Sequence, residues 1–224
     1  MALLYKKELI TMLNRQNLLL YAITDRTCLK GDQTLFSAVE MALAGGATML
    51  QLREKSLEGL GRQKYIEEAR ELHWMCRAYE VPLIVNDDVE IAKLIDAEGV
   101  HVGQNDMPVD EVRKILGKDK IVGASAHTVE QAIHAQMLGA DYLGVGAVFS
   151  TSTKKDANTI SLKTLRSICN SVTIPVVAIG GITKENVAKL KGSNVSGVAV
   201  VSSIFAQEDV LTATHKLKIA LRAL

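Results

Sequence analysis

Several short stretches of this 224-residue chain combine residue types suited to phosphate and metal chemistry. In Gln51-Leu52-Arg53-Glu54-Lys55, the residues Gln51, Arg53 and Lys55 alternate with Leu52 and Glu54. In an extended segment alternate side chains share a direction, so a guanidinium fork and an ammonium stand side by side, which suits a phosphate or diphosphate. Asn86-Asp87-Asp88 and Gly103-Gln104-Asn105-Asp106 supply carboxylates. Asp87 and Asp106 brought together would repel. A hard divalent ion resolves this, because magnesium takes one or two protein carboxylates and fills its remaining positions with water and phosphate oxygens. The competing reading is helix capping, by Asp87 or Asp88 ahead of Val89 and by Asp106 ahead of Pro108. Capping explains the carboxylates but leaves Arg53 and Lys55 unaccounted for.

Further along, Ala124-Ser125-Ala126-His127-Thr128 offers a hydroxyl, Ser125, for a phosphate or a ring nitrogen. Thr128 reads as the cap of the next helix, and His127 as a structural hydrogen-bonding group, since a general base also needs an orienting partner. Ser150 to Asn158 contains four hydroxyls, Ser150, Thr151, Ser152 and Thr153, then Lys154 and Lys155. This is either an anion-binding flap or an ordinary polar loop, and in isolation the polar loop is the better reading. Gly180-Gly181-Ile182-Thr183 ahead of an expected helix, and Val201-Ser202-Ser203 opening another, bring backbone N–H groups towards an anion. The chain thus carries two anion-binding regions. Arg53, Lys55 and the acidic pair with Mg2+ suit a diphosphate, and Gly181 with Ser202 suits a monophosphate. A diphosphate beside a metal is a leaving group in waiting.

These residues need a scaffold that gathers them. Eight short, mostly apolar runs recur: residues 18–24, 49–52, 82–85, 100–102, 121–124, 142–145, 176–179 and 198–201. Continuous apolar runs fit strands buried on both faces of a parallel sheet. Helical spacing lies between them, over residues 60–79, 129–138 and 184–191 among others. Glycine-containing lead-ins such as Gly45-Gly46 and Gly139 precede several strands, as at helix C-caps. The pattern predicts an α/β chain, a single (β/α)8 TIM barrel over residues 1–224 with a short helical extension at 1–17 capping the barrel bottom. An open doubly wound sheet would carry G-x-G-x-x-G after its first strand, and residues 20–26 hold no glycine. In a barrel, function sits at the C-terminal ends of the strands, which is where every stretch above falls.

Composition narrows the partners. Lys and Arg number 26 against 25 Asp and Glu, so no global field favours nucleic acid or an anionic membrane. The three cysteines are scattered, without C-x-x-C, arguing against a disulfide framework or zinc site. With no apolar run near 18 residues and no leader pattern, the expectation is a cytoplasmic enzyme of small molecules, with no nucleic acid or membrane partner and a homo-oligomer left open.

Taken together, Gln51-Leu52-Arg53-Glu54-Lys55, Val85-Asn86-Asp87, His101-Val102-Gly103-Gln104 with Asp106, Gly123 to Thr128, Thr151-Ser152-Thr153-Lys154 and Gly180-Gly181-Ile182 resemble the thiamine phosphate synthase family. The likeness runs from about Leu20 to Ser203 with the motifs in family order. Asn105 stands where an acidic residue is expected beside Asp106, and Ala124 where valine is commoner. The resemblance implies a transferase that joins 4-amino-5-hydroxymethyl-2-methylpyrimidine diphosphate to 4-methyl-5-(2-phosphoethyl)thiazole, or its carboxylated precursor, after diphosphate departs. It places Gln51, Leu52, Arg53, Glu54, Lys55, Asn86, Ser125 and Lys154 on the pyrimidine diphosphate, with Arg53, Lys55, Ser125 and Lys154 as the catalytic set. Asp87 and Asp106 would hold Mg2+, and Thr151, Ser152, Thr153, Gly181, Val201 and Ser202 would contact the thiazole phosphate. The neighbouring alternatives are a thiazole tautomerase-like paralogue and a non-catalytic thiazole-phosphate-binding regulator. The joint presence of Arg53, Lys55, Asn86, Asp87, Asp106 and Lys154 weighs against the tautomerase.

Overall fold

The computed structural model describes residues 13–54, 61–151 and 159–224. Eight strands, β1 (Leu20–Ile23), β2 (Met49–Leu52), β3 (Leu83–Asn86), β4 (Gly99–Val102), β5 (Ile121–Ala126), β6 (Tyr142–Gly146), β7 (Val176–Ile179) and β8 (Gly197–Val200), pair in chain order. All pairings are parallel, and Leu20 of β1 aligns with Val198 of β8 to close the barrel. The expected (β/α)8 architecture is the one observed.

Strand alternation divides the interior in two. Tyr21, Ile23, Met49, Ile84, Ile121, Tyr142, Val177 and Ala199 point into the lumen and pack together with Leu18. Their chain neighbours, among them Leu20, Leu50, Leu83, Val85, Val122 and Leu143, join a larger layer shared with helix residues such as Leu72, Val112, Ile168 and Leu217. Both faces are buried, hence the continuous apolar runs.

The outer layer comes from α1 (Leu35–Ala44), α2 (Arg62–Ala78), α3 (Val89–Leu94), α4 (Val109–Leu116), α5 (Val129–Met137), α6 (Leu162–Ser171), α7 (Ser202–Phe205) and α8 (Val210–Ala220). Most have an identifiable start signal. Thr34, Asp88, Thr128, Ser161 and Asp209 each accept a backbone N–H of the first turn, the cap geometry expected of these residue types. The helix expected over 184–191 is instead a single 3-10 turn, Val187–Leu190. Its two buried residues, Val187 and Leu190, stand at i and i+3. That spacing eclipses in a 3-10 turn, and the Lys191 that follows gives no further apolar step.

The barrel bottom is plugged. A 3-10 turn at Arg15–Leu18 buries Leu18, and Leu13 packs on the same lumen cluster. The Thr48 hydroxyl donates to the Asn17 carbonyl at 2.8 Å while accepting the Leu20 N–H at 2.8 Å, tying the plug to the entry of β1. Gly197 lets it approach, since a Cβ there would lie 1.9 Å from the Leu18 carbonyl oxygen. Of the expected N-terminal cap only residues 13–17 are described, and residues 1–12 lie outside the described residues.

Candidate active site

At the opposite end a cavity of about 520 Å3 opens where the strands finish. Its wall includes Gln51, Arg53, Asn86, Asp87, Asp106 and Ser125 on one side of the strand order and Gly181, Val201 and Ser202 on the other, with Thr151 between. Most of the described residues singled out from sequence thus share one space.

The basic side is braced. Arg53 follows β2, its backbone N–H donates to the Thr24 hydroxyl at 2.9 Å, and its guanidinium donates to Asp25 at 3.0 Å. The other oxygen of Asp25 accepts the Thr27 N–H at 3.0 Å as the cap of a 3-10 turn, Arg26–Cys28, so the carboxylate is itself held in place. A guanidinium fixed this way loses little conformational freedom on binding an anion.

Two expected contact residues are turned elsewhere. Leu52 is buried among the helix-facing residues rather than the lumen, as the alternation from Gln51 and Arg53 requires. The Glu54 carboxylate is nearly buried and accepts from Arg26 at 2.6 Å, while Arg26 also donates to Glu68 at 2.6 Å. The Leu52 and Glu54 side chains therefore serve packing and an ion pair, which leaves their backbone as the part that can face the cavity. Lys55, Ser152, Thr153 and Lys154 lie outside the described residues.

The capping question resolves residue by residue. Asp88, not Asp87, caps α3 by accepting the Ile91 N–H at 2.9 Å. Asp87 sits at φ +62°, a left-handed conformation that costs a non-glycine residue energy, and it is held there by its N–H bond to the His101 carbonyl at 2.9 Å. Asn86 donates to the Asp87 carboxylate at 2.6 Å. Asp106 does not cap α4, whose first-turn cap position is Pro108. Instead one Asp106 oxygen accepts the Gly103 N–H at 2.7 Å, and a Cβ on Gly103 would come within 2.8 Å of it. Two carboxylates on adjacent strand ends, neither spent on a helix start, are a hard-oxygen pair that fits Mg2+. Among the described residues no group of three or more His, Cys, Asp or Glu converges, so substrate and water oxygens would complete the shell.

At the far side Gly180 and Gly181 take φ +98° and +62°. A side chain at Gly181 would meet the Ser150 carbonyl oxygen at 2.3 Å, so only glycine fits. Between β7 and β8 stands only the 3-10 turn Val187–Leu190, so the α-helix dipole expected there is absent. The N–H groups of Ser202 and Ser203, in the first turn of α7 where no intrahelical acceptor exists, remain suited to an anion. Ser203 is fixed by donating its hydroxyl to the Ile182 carbonyl.

Deeper in the lumen lies a feature the sequence reading did not find. Gln51 Nε2 donates to the Tyr21 hydroxyl at 2.6 Å, Tyr21 and Tyr142 hydroxyls are 2.9 Å apart, and Tyr142 lies 3.0 Å from His101 Nδ1. His101 Nε2 completes the chain at 3.0 Å from Ser125 Oγ. Burial pushes the Tyr21 and Tyr142 phenols up, so they keep their protons. Burial also pulls His101 down to about 4, outweighing the opposing pull of Asp106, so the imidazole is neutral at neutral pH.

The sequence profile described as thiamine monophosphate synthase matches residues 20–204. The chain belongs to the thiamine monophosphate synthase family. It is 50% identical over 198 residues to the thiamine-phosphate synthase of Clostridium tetani, covering 88% of this chain and 93% of that protein. It is equally 50% identical over 198 residues to that of Ruminiclostridium cellulolyticum, covering 88% and 92%. Among solved structures, thiamine phosphate pyrophosphorylase from Pyrococcus furiosus superposes with a TM-score of 0.84 at 40% identity, over 93% of this chain and 97% of that one.

Membership of the thiamine monophosphate synthase family does not by itself reveal the Tyr21–Tyr142 bridge. Those residues are 121 positions apart, and each reads as an ordinary core aromatic in an apolar strand. A signal was nonetheless present: glycine at the inward positions 123 and 144. A Cβ on Gly123 would lie 2.2 Å from the Tyr142 ring, and one on Gly144 3.1 Å from the His101 ring. Small residues in mid-strand mark where large neighbours need room.

Proposed function

We propose that this chain catalyses the condensation that gives its family its name, joining a pyrimidine diphosphate and a thiazole phosphate to form thiamine phosphate and diphosphate. The observation that carries the reading is the single cavity that holds Arg53, the Asp87/Asp106 pair and the Gly181/Ser202 turn. One ligand bearing a diphosphate and another bearing a monophosphate both find their counter-groups there. We read the chain as one barrel domain with residues 1–17 as its extension, working in the cytoplasm, where the free cysteines Cys28, Cys76 and Cys169 suit a reducing compartment.

In this reading Arg53, Lys55 and Lys154 hold the diphosphate, Asn86 orients it, and Gln51 and Ser125 hold the pyrimidine. Thr151, Ser152, Thr153, Gly181, Val201 and Ser202 hold the thiazole phosphate, Val201 through packing and backbone since its side chain is apolar. Asp87 and Asp106 would hold Mg2+, which would supply charge neutralisation for the departing diphosphate. The methylene C–O bond breaks and its electron pair leaves with the diphosphate oxygen. Arg53 and the lysines stabilise the charge that grows there. The thiazole nitrogen then donates its lone pair to the methylene carbon, forming the new C–N bond. No protein base is needed for this step, so positioning and electrostatics carry the catalysis.

The test incubates purified protein with both substrates and Mg2+ and follows thiamine phosphate and diphosphate. Equal amounts of both products, lost on chelation and restored by Mg2+, are expected. Binding of the thiazole phosphate without product would sink the synthase reading.

A further inference from the structure

The buried hydrogen-bond chain has a direction. Gln51 points Nε2 at the Tyr21 hydroxyl, which therefore accepts. A phenol has one proton, and leaving it unpaired inside the barrel is costly, so Tyr21 donates onward to Tyr142 at 2.9 Å. Tyr142 then donates to His101 Nδ1, 3.0 Å away, which must be bare. The neutral ring carries its proton on Nε2 and donates it to Ser125 Oγ at 3.0 Å. Having accepted there, Ser125 has its own proton left to give, and Gln51 has its carbonyl oxygen left to receive. Both residues line the cavity.

The barrel is shaped around this chain. In the strand register Gly123 lies beside His101 on one side and Tyr142 on the other. The missing side chains at Gly123 and Gly144 are what let the two rings reach one another, with centroids 5.5 Å apart. Among the described residues no buried side-chain nitrogen or oxygen lacks a partner, and within the lumen these links supply partners to the buried hydroxyls and ring nitrogens.

We propose that the relay Gln51–Tyr21–Tyr142–His101–Ser125 fixes the polarity of the cavity, presenting an acceptor at Gln51 and a donor at Ser125, and thereby selects a 4-aminopyrimidine over its 4-oxo counterpart. An aminopyrimidine edge offers an N–H from the exocyclic amine and a bare ring nitrogen, matching acceptor and donor in turn. The 4-oxo lactam offers the reverse, a carbonyl and a ring N–H. For it to bind, every proton in the chain would have to shift and the Gln51 amide turn over. Tyr21, Tyr142 and His101 are positioning residues in this account, acting through Gln51 and Ser125. The identity of the ligand rests on the synthase reading above; the direction of the relay does not.

The experiment has two independent readouts. In ligand-free protein, the ring 15N shifts of His101, assigned by their loss in His101→Gln, should show Nε2 protonated and Nδ1 bare. An Nδ1-protonated ring would overturn the proposal, since the chain would then run the other way. In steady-state kinetics, wild-type kcat/KM for the 4-amino pyrimidine diphosphate should exceed that for the 4-oxo analogue by at least about a hundredfold, as sites built to hydrogen-bond a substrate discriminate strongly. In His101→Gln, whose amide can turn either face to Ser125, and in Tyr142→Phe, which frees the ring tautomer, this ratio should fall at least about tenfold. A merely structural role would lower both rates together. Folded variants that keep the wild-type ratio would overturn the proposal. Wild-type protein that turns over neither diphosphate would overturn the synthase reading and with it the aminopyrimidine selection, while the His101 tautomer would still decide the relay.

Discussion

The two ends of the barrel lumen are built from the same strands and do opposite things. At the lower end Leu18, Met49, Ile84 and Ile121 fill the space with apolar volume, and Val177 packs on them while also lining the cavity floor. Two residues further along several of the same strands stand Gln51, Asn86 and Ile179, and β4 and β5 contribute His101 and Ser125 to the polar cavity. A step of two is the strand repeat, so a side chain's job is set by its height in the barrel rather than by its strand. Low positions hold the fold together. High positions face ligand, and the Tyr21–Tyr142 pair, in edge-to-face contact at 5.9 Å, divides the two.

That division can be broken deliberately. At the top, Asp87→Ala and Asp106→Ala should each cut turnover by about a hundred- to a thousandfold, the scale of losing one preorganised electrostatic contact in a transition state, and weaken the Mg2+ dependence. Melting temperatures close to wild type, read by circular dichroism, would accompany the loss. An unchanged Mg2+ response in both variants would remove the metal assignment.

At the dividing layer the effect is on pH stability. His101 titrates near 6.5 when unfolded and about 4 when folded, so the folded state resists protonation. Its contribution to stability is complete above pH 6.5 and is lost as pH falls from 6.5 to 4, about 3 kcal/mol over that window. Urea unfolding of the ligand-free protein at several pH values should show this slope, and His101→Gln should flatten it. Equal slopes would mean that the ring is not held neutral. At the bottom the expected effect is smallest: Ile84→Val should cost about 1 kcal/mol of stability and leave kcat unaltered. A loss of turnover in that variant would contradict the division by height.

The legibility of the sequence follows the same division. The eight strands could be read because burial on both faces makes runs such as Val176-Val177-Ala178-Ile179 continuously apolar, and no other element needs that pattern. The charged strand ends could be read because Arg53, Asp87 and Asp106 have no packing role to hide in. The surroundings of the Leu52 and Glu54 side chains are not legible in a motif taken as an unbroken run, because strand alternation turns every second side chain away. The 3-10 turn at Val187–Leu190 was read as a longer helix because an i, i+3 pair satisfies both patterns. The relay was invisible for a different reason. Its four links join five strands, and hydrogen bonds across a barrel leave no spacing in the chain.

Closure of the sheet has a mechanical consequence for the site. With β8 paired back to β1, each strand end has a neighbour on both sides, and none can swing without straining the whole hoop. The mouth therefore has a nearly constant circumference. Adjustment to differently shaped ligands falls to the segments that leave the rim, while the spacing between Arg53, Asp87, Asp106 and Gly181 behaves as a fixed gauge against which a ligand's two phosphate ends are measured.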